Sequence, residues 1–274
     1  MSFSWTQQRR DAAIDSLEQS SWLRHMEWLL ETDSTNTHAR RQLAAGLGRW
    51  PALFVADRQT AGRGRNTRSW WSPEGCLMLS LVVGQEQLPS DPALWPQLSL
   101  VTGVAVATAV EAEAPQSDVK LKWPNDLYVQ SRKLAGILVE AIPQAVDGQM
   151  AFVIGIGLNV AVDWSRADIE LRGRACSMSQ FADRDVSVES VLLRLMEHLE
   201  HWLGSWRAGE TAWWQQWCDR SLLSGCSVQL QLGSSQQLIG DCEGIDRAGR
   251  LLIRDSEHLH HIQSADVLAW QLRP

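Results

Sequence analysis

The sequence predicts a chain built largely of strands with helices interspersed, closed by a small all-β unit. Three observations carry this reading. Apolar strand-like runs recur at Leu53 to Asp57, Cys76 to Val83, Lys133 to Ile142 and Phe152 to Val160. Val191, Leu192, Leu195, Met196, Leu199, Trp202 and Leu203 fall at helical spacing and make one stripe of an amphipathic helix that begins at Val188. From Gly225 the character changes: Val228 to Leu232 alternates strictly, and Gly233, Gly240, Gly244 and Gly249 punctuate short strand-like runs.

In chain order, residues 5 to 30 predict a short helix and then an entering strand, Glu27 to Glu31. Asp33 and Ser34 form a capping pair for a helix from Thr35 to Leu47, closed by Gly46 and Gly48. A long helix lies between Trp95 and Ala112, and a second helix after the amphipathic one runs through Trp213, Trp214 and Trp217. Between Lys120 and Glu140, Pro124 keeps Trp123 extended and Asn125-Asp126 favours a turn. The segment therefore reads as one hairpin with Lys122 and Lys133 on opposite arms. The expected division is a larger domain over 1–224, with 1–25 as a helical extension, and a β-barrel over 225–274. No polar linker separates them, so the barrel is expected to dock directly and to share a site.

Composition narrows the function classes. Against 25 Lys and Arg stand 32 Asp and Glu, a net charge of −7 that argues against a nucleic-acid coat. With 45% hydrophobic residues the chain is an ordinary globular one. The five cysteines form no C-x-x-C pair and no signal-like apolar stretch follows Met1, so a reducing, cytoplasmic location is expected. Leu98 to Val110 falls short of the ~20 apolar residues of a membrane helix, and no membrane association is expected. Fifteen Trp against one Tyr is unusual, and their expected place is in the core and between helices.

Three segments carry chemistry. The loop from Ala61 to Gly75 puts Arg63, Arg65 and Arg68 among Gly62 and Gly64. Guanidinium forks match phosphate or carboxylate oxygens, and glycines let backbone N–H groups curl to one side, so anion binding is the natural reading. Lys120 to Asp126 adds Lys122 and an acidic turn, from which Asp126 could give one carboxylate to Mg²⁺. Gly155-Ile-Gly-Leu-Asn-Val160 is a glycine-bearing strand whose Asn159 amide has the pattern that pairs with adenine. His258, His260 and His261 lack ligand spacing for a metal, His198 and His201 read as a solvated flank, and Cys76 reads as a structural thiol. Neither a P-loop nor a G-x-S-x-G motif occurs.

Taken together, G-R-G-R-x-x-R-x-W-x-S-P-x-G at 62–75, K-W-P-N-D at 122–126, R-K-x-A-G-I-L-x-E at 132–140 and G-I-G-x-N-V at 155–160 resemble the bacterial biotin protein ligases. Ser34-Thr35-Asn36 and Gln59 fit the same pattern, and the resemblance covers roughly residues 26–274. It implies an α+β fold: a mixed-sheet catalytic domain related to class II aminoacyl-tRNA synthetases, with a small SH3-like C-terminal barrel. It also implies a reaction in two steps. Biotin and ATP give biotinyl-5′-AMP and pyrophosphate, and a lysine of the biotin carboxyl carrier protein of acetyl-CoA carboxylase then takes the biotin. A carboxylate attacking the α-phosphate is already ionised, so this step needs charge neutralisation and alignment rather than a general base.

By the same resemblance Ser34, Thr35, Asn36, Gln59, Arg63, Gly64, Arg65 and Lys133 line the biotin site. Lys133, Arg65 and Arg68 act in catalysis, Arg68, Trp70, Lys122, Asn125 and Asn159 bind ATP, and Asp126 contacts Mg²⁺. No tightly bound prosthetic group is expected, and a homodimer is compatible with the pattern. Bifunctional relatives carry a winged-helix domain ahead of the Ser-Thr-Asn triplet, which only 33 residues precede here, so DNA binding is not expected. The Gly-Glu/Asp pair usual before the last strand appears as Ala265-Asp266. The competing readings are a lipoate protein ligase on the same scaffold and a non-catalytic biotin-sensing DNA-binding regulator.

Overall fold

The computed structural model describes residues 7–66 and 68–272. The expected N-terminal helix is α1, Gln7–Glu18, and its first two predicted residues lie outside the described ones. Strand β1 (His25–Leu29), helix α2 (Thr35–Ala44), strands β2 (Ala52–Ala56) and β3 (Cys76–Gly84) and helix α3 (Leu98–Glu113) follow. Then come β4 (Lys120–Lys122), β5 (Asp126–Val129), β6 (Arg132–Val146) and β7 (Gln149–Asn159). Helices α4 (Ile169–Arg172), α5 (Val188–Arg207) and α6 (Ala212–Asp219) complete the larger unit. The remainder is β8 (Cys226–Leu232), β9 (Gln236–Ile245), β10 (Leu251–Arg254), β11 (Leu259–Ile262) and β12 (Asp266–Leu272).

Seven strands form one sheet in the order β1-β2-β3-β7-β6-β5-β4. β1 and β2 are parallel and the other neighbours antiparallel, so the sheet is mixed and the fold α+β. All nine residues of β3 are buried because α2 covers one face of the sheet and α3 and α5 the other, and a strand covered on both faces reads as an unbroken apolar run. Pro92–Glu113 is apolar and long enough on composition alone to cross a bilayer, but it is the central helix of this core and mostly buried.

Four local expectations are corrected. β1 starts and ends two residues early, because the chain leaves the sheet at Leu30, which is exposed. Ser34 is the N-cap of α2 but its hydroxyl makes no capping bond; the first helical N–H, that of Thr35, is taken by Gln59 Oε1 at 2.8 Å. The helix stops at Ala44, before Leu47, and is closed around Gly46 at φ +94°, where Gly46 N donates to Leu43 O and Leu47 N to Gln42 O. The Lys120–Glu140 segment is a three-stranded meander rather than one hairpin. A second reversal at Gln130-Ser131, both at positive φ, places Lys122 on β4 and Lys133 on β6 with β5 between them.

The C-terminal unit is a five-stranded antiparallel sheet ordered β11-β10-β9-β8-β12, its interior built from Val228, Leu230, Cys242, Ile253 and neighbours. It docks through its 246–249 turn. Trp123 Nε1 donates to Gly249 O at 3.1 Å, Trp214 Nε1 to Asp246 O at 3.0 Å and Gln97 Nε2 to Arg247 O at 3.1 Å. Gly249 sits at φ +81°, and a Cβ there would lie 2.7 Å from Leu100 Cδ1. Gly249→Ala is therefore expected to destabilise the protein by about 1–3 kcal/mol, read as a lower urea midpoint. An unchanged midpoint would show that the turn is not tightly held.

Candidate active site

The site lies on the sheet face that carries α2, where β6 and β7 pair Gly136 with Gly157 and Leu138 with Gly155. These glycines remove side chains so that others can lie on the sheet. A Cβ on Gly155 would stand 2.1 Å from Asn36 Oδ1, and one on Gly157 2.5 Å from Trp70 Cε2. The close approach expected at the glycine strand is thus made by Asn36 and by the Trp70 indole, which forms part of the floor.

At one end, the start of α2 brings Ser34, Thr35 and Asn36 to the cleft. Gln59 Oε1 receives Thr35 N, and Gln59 Nε2 donates to Ser72 Oγ at 3.0 Å, so both ends of its amide are oriented. Ser80, fully buried in β3, lies 2.8 Å from Thr35 Oγ1 and 2.6 Å from Asn36 Oδ1. Asn36 Nδ2 donates to Glu140 Oε2 at 2.8 Å and to Leu138 O at 3.2 Å.

The other walls are cationic. The Gly-Arg segment is a short hairpin: Arg63 bridges Ser69, Gly64 N donates to Arg68 O and Trp70 N to Gly62 O. Neither Gly62 nor Gly64 adopts positive φ, so the expected curl of N–H groups is not what the glycines provide. Gly62 is instead required by packing, since a Cβ there would be 2.5 Å from Trp70 O. The three arginines diverge to three walls. Arg63 pairs with Glu140 at 3.1 Å, Arg65 reaches Asn125 Oδ1 and Ala265 O at 3.4 Å each, and Arg68 lies 3.7 Å from Asp266.

Lys133 Nζ is 2.7 Å from Asp126 Oδ1 and 5.5 Å from the Trp70 ring centre. Asp126 Oδ1 is buried and has no hydrogen bond besides this ion pair. Lys122 sits 4.2 Å over the Trp270 ring of the C-terminal sheet. Burial lowers its pKa from the ordinary lysine value to about 8; Asp126 opposes the shift, while Lys133 and Arg68 add to it. Asn125 is pinned to β6 by bonds to and from Ile137.

One cleft thus collects Ser34, Thr35, Asn36, Gln59, Arg63, Gly64, Arg65, Arg68, Trp70, Lys122, Asn125, Asp126 and Lys133. Asn159 is not on its lining. Only 3% exposed at the end of β7, it donates to the Lys133 carbonyl at 3.5 Å and supports the strand beneath the site. Cys76 is buried beside it, and burial pushes its thiol up to about 12, which suits a structural thiol. His198 departs from the solvated-flank expectation: its ring packs against Thr108 at 2.8 Å, and burial lowers its pKa.

Sequence reasoning assigned no role to Ser80, Glu140 or Asp266. Ser80 is the one hydroxyl in an apolar strand and Glu140 closes the R-K-x-A-G-I-L-x-E motif, so both carried a signal. Asp266 lines the cleft from the C-terminal sheet and accepts from Asn66 Nδ2 at 2.9 Å, a contact across 200 residues that no local pattern announces.

The model of the biotin/lipoate A/B protein ligase family matches residues 29–159, the span that holds every side chain of the catalytic-domain walls. The chain is 30% identical over 251 residues to a biotin–[acetyl-CoA-carboxylase] ligase of Mycobacterium tuberculosis, covering 91% of this chain and 90% of that one. It is 33% identical to the bifunctional ligase/repressor BirA of Bacillus subtilis, with 78% of this chain covered and 65% of that longer protein. The fold superposes on a biotin protein ligase from Aquifex aeolicus in complex with biotin and ATP, with a TM-score of 0.75, 27% identity, and 91% and 99% of the two chains covered. Sequence and fold agree, and the chain belongs to the biotin/lipoate A/B protein ligase family.

Proposed function

We propose that this protein activates biotin with ATP to biotinyl-5′-AMP and transfers the biotin to a lysine of a biotin carboxyl carrier protein. The carrying observation is a single cleft whose one end is a wired set of hydroxyls and amides and whose other end is Arg65, Arg68, Lys122 and Lys133, with no thiol or imidazole poised as nucleophile or base among the described residues. A carboxylate meeting an α-phosphate asks for this: two anions must be brought together, and no proton has to be removed. In the second step the acceptor amine attacks the mixed anhydride and AMP leaves. The polar end suits a cyclic urea, and the floor left by Gly136, Gly155 and Gly157, with Leu138 and the Trp70 indole beside it, suits a thioether ring and alkyl tail.

In this reading Ser34, Thr35, Asn36, Gln59, Arg63 and Gly64 line the biotin end, and Lys133 stands where carboxylate and α-phosphate meet. Arg65, Arg68, Lys122 and Asn125 face the nucleotide, with Trp70 as a platform. Asn159 acts from below by holding Lys133. Mg²⁺ fits beside Asp126, whose Oδ1 has no hydrogen bond, since that ion commonly uses one carboxylate together with substrate phosphates. There it would neutralise phosphate charge.

The test is incubation with ATP, Mg²⁺ and either biotin or lipoate, with mass spectrometry for the acyl-adenylate. Biotinyl-AMP supports the assignment; lipoyl-AMP alone would replace it with lipoate ligase, and no adenylate would leave only binding. Lys122 gives a pH signature. A triphosphate favours its charged form, so nucleotide affinity should weaken as pH rises through about 8. Lys122→Arg, which stays charged, should flatten that dependence. Without nucleotide the same shift makes stability rise with pH above about 8, because the unfolded chain binds the proton that the folded chain has released.

A further inference from the structure

We infer that Glu140 is a positioning residue that sets the hydrogen-bond polarity of the ureido end of the pocket, acting through Asn36 and Ser80; this rests on the biotin reading above. The neighbours of Asn36 Nδ2 are a carboxylate and a carbonyl, Glu140 Oε2 at 2.8 Å and Leu138 O at 3.2 Å. Both only accept, so the amide can lie only one way, and its Oδ1 faces Ser80 Oγ at 2.6 Å. Ser80 must therefore donate to Asn36, and its single proton is spent. Thr35 Oγ1 stands 2.8 Å from Ser80 Oγ and 3.2 Å from Gln59 Oε1. Two hydroxyl oxygens at 2.8 Å repel unless a proton lies between them, so the Thr35 proton is spent inside the protein as well.

The consequence is directional. Thr35 faces the cleft with lone pairs only, while Gln59 Nε2, committed to Ser72 through one hydrogen, has a second to offer. The pocket end thus presents an acceptor next to a donor, the complement of a urea N–H next to its carbonyl. Glu140 is itself held in place, since Arg63 approaches it at 3.1 Å and Arg40 at 3.3 Å. In Glu140→Gln one of the two acceptors that fix Asn36 becomes able to donate, so Leu138 O alone opposes turning of the amide; in the turned form Ser80 accepts from Asn36 and donates to Thr35, and the Thr35 proton is free to turn to the ligand or to Gln59 Oε1 at 3.2 Å.

The test is calorimetric titration of the full chain with biotin, with biotin methylated on a ureido nitrogen, and with biotinamide. Wild type should bind biotin and lose about tenfold or more on N-methylation. Glu140→Gln should weaken biotin by about tenfold and shrink the methylation penalty to about twofold, while the cost of replacing the carboxylate by an amide stays at its wild-type ratio. Ser80→Ala breaks the same chain by another atom and should reproduce both changes; it carries the test alone if Glu140→Gln does not fold. The double variant should be no weaker than the weaker single one. An unaltered methylation penalty in both variants overturns the inference, as does a change confined to biotinamide, which would mean that Glu140 acts through Arg63. Absence of saturable biotin binding by wild type would overturn the functional reading, and the inference with it.

Discussion

Lys133→Ala is expected to lower the rate of adenylate formation by roughly 10²–10³-fold while changing biotin affinity far less. The ammonium stands 2.7 Å from Asp126 and next to the Trp70 floor, at the junction of the polar and cationic ends of the cleft. Its charge counts most when two anions are forced together, so its loss falls on the transition state rather than on binding. The variant also strands the Asp126 carboxylate, and Lys133→Ala with Asp126→Asn separates the two effects. Single-turnover adenylation at saturating ATP is the measurement; an unchanged rate would remove Lys133 from the reaction.

Arg65→Gly is expected to make adenylate yet release it early. Arg65 spans from Asn125 on the β4–β5 turn to the Ala265 carbonyl of the C-terminal unit, both at 3.4 Å, and so ties the hairpin to two walls of the cleft. Those neutral contacts are long. A bound anion offers a charge-assisted one worth roughly 1.5–3 kcal/mol, equivalent to about ten- to a hundredfold in retention. Escaped anhydride would acylate bystander lysines, so albumin incubated with the variant, biotin and ATP should acquire covalent biotin. Labelling no higher than with wild type, at equal adenylate production, would show that Arg65 does not retain the intermediate.

How legible these features were depends on the range of the forces behind them. The buried strands and amphipathic α5 follow from local apolar patterning, and so did the all-β tail. The meander did not, because Gln130-Ser131 at positive φ carries none of the usual Asn-Gly signal. The stretch between β7 and α5, with its single-turn α4, has too little periodicity to read. Of the site, the cations and the Ser-Thr-Asn triplet were legible as residue types. Their wiring was not: Gln59 capping α2, Ser80 between Thr35 and Asn36, and Asp266 reaching Asn66 are tertiary contacts between segments far apart in the chain.

The abundance of tryptophan also finds its explanation in three dimensions. Trp28, Trp50, Trp95, Trp123, Trp164, Trp202, Trp206 and Trp214 each donate their indole N–H to a partner elsewhere in the fold. A side chain that fills space and fastens one hydrogen bond is a large apolar body with a polar handle. Where the C-terminal sheet docks, this produces an asymmetry. The donors are the side chains of Trp123, Trp214 and Gln97, whereas the acceptors are main-chain carbonyls of Asp246, Arg247 and Gly249. A carbonyl is the same whatever residue bears it. Across descendants of this gene the turn should therefore be free to drift at Ala248, and at Arg247 wherever a side chain can still cover the Trp214 ring that its guanidinium now overlies at 3.8 Å. Its three partners in the larger domain should stay under selection.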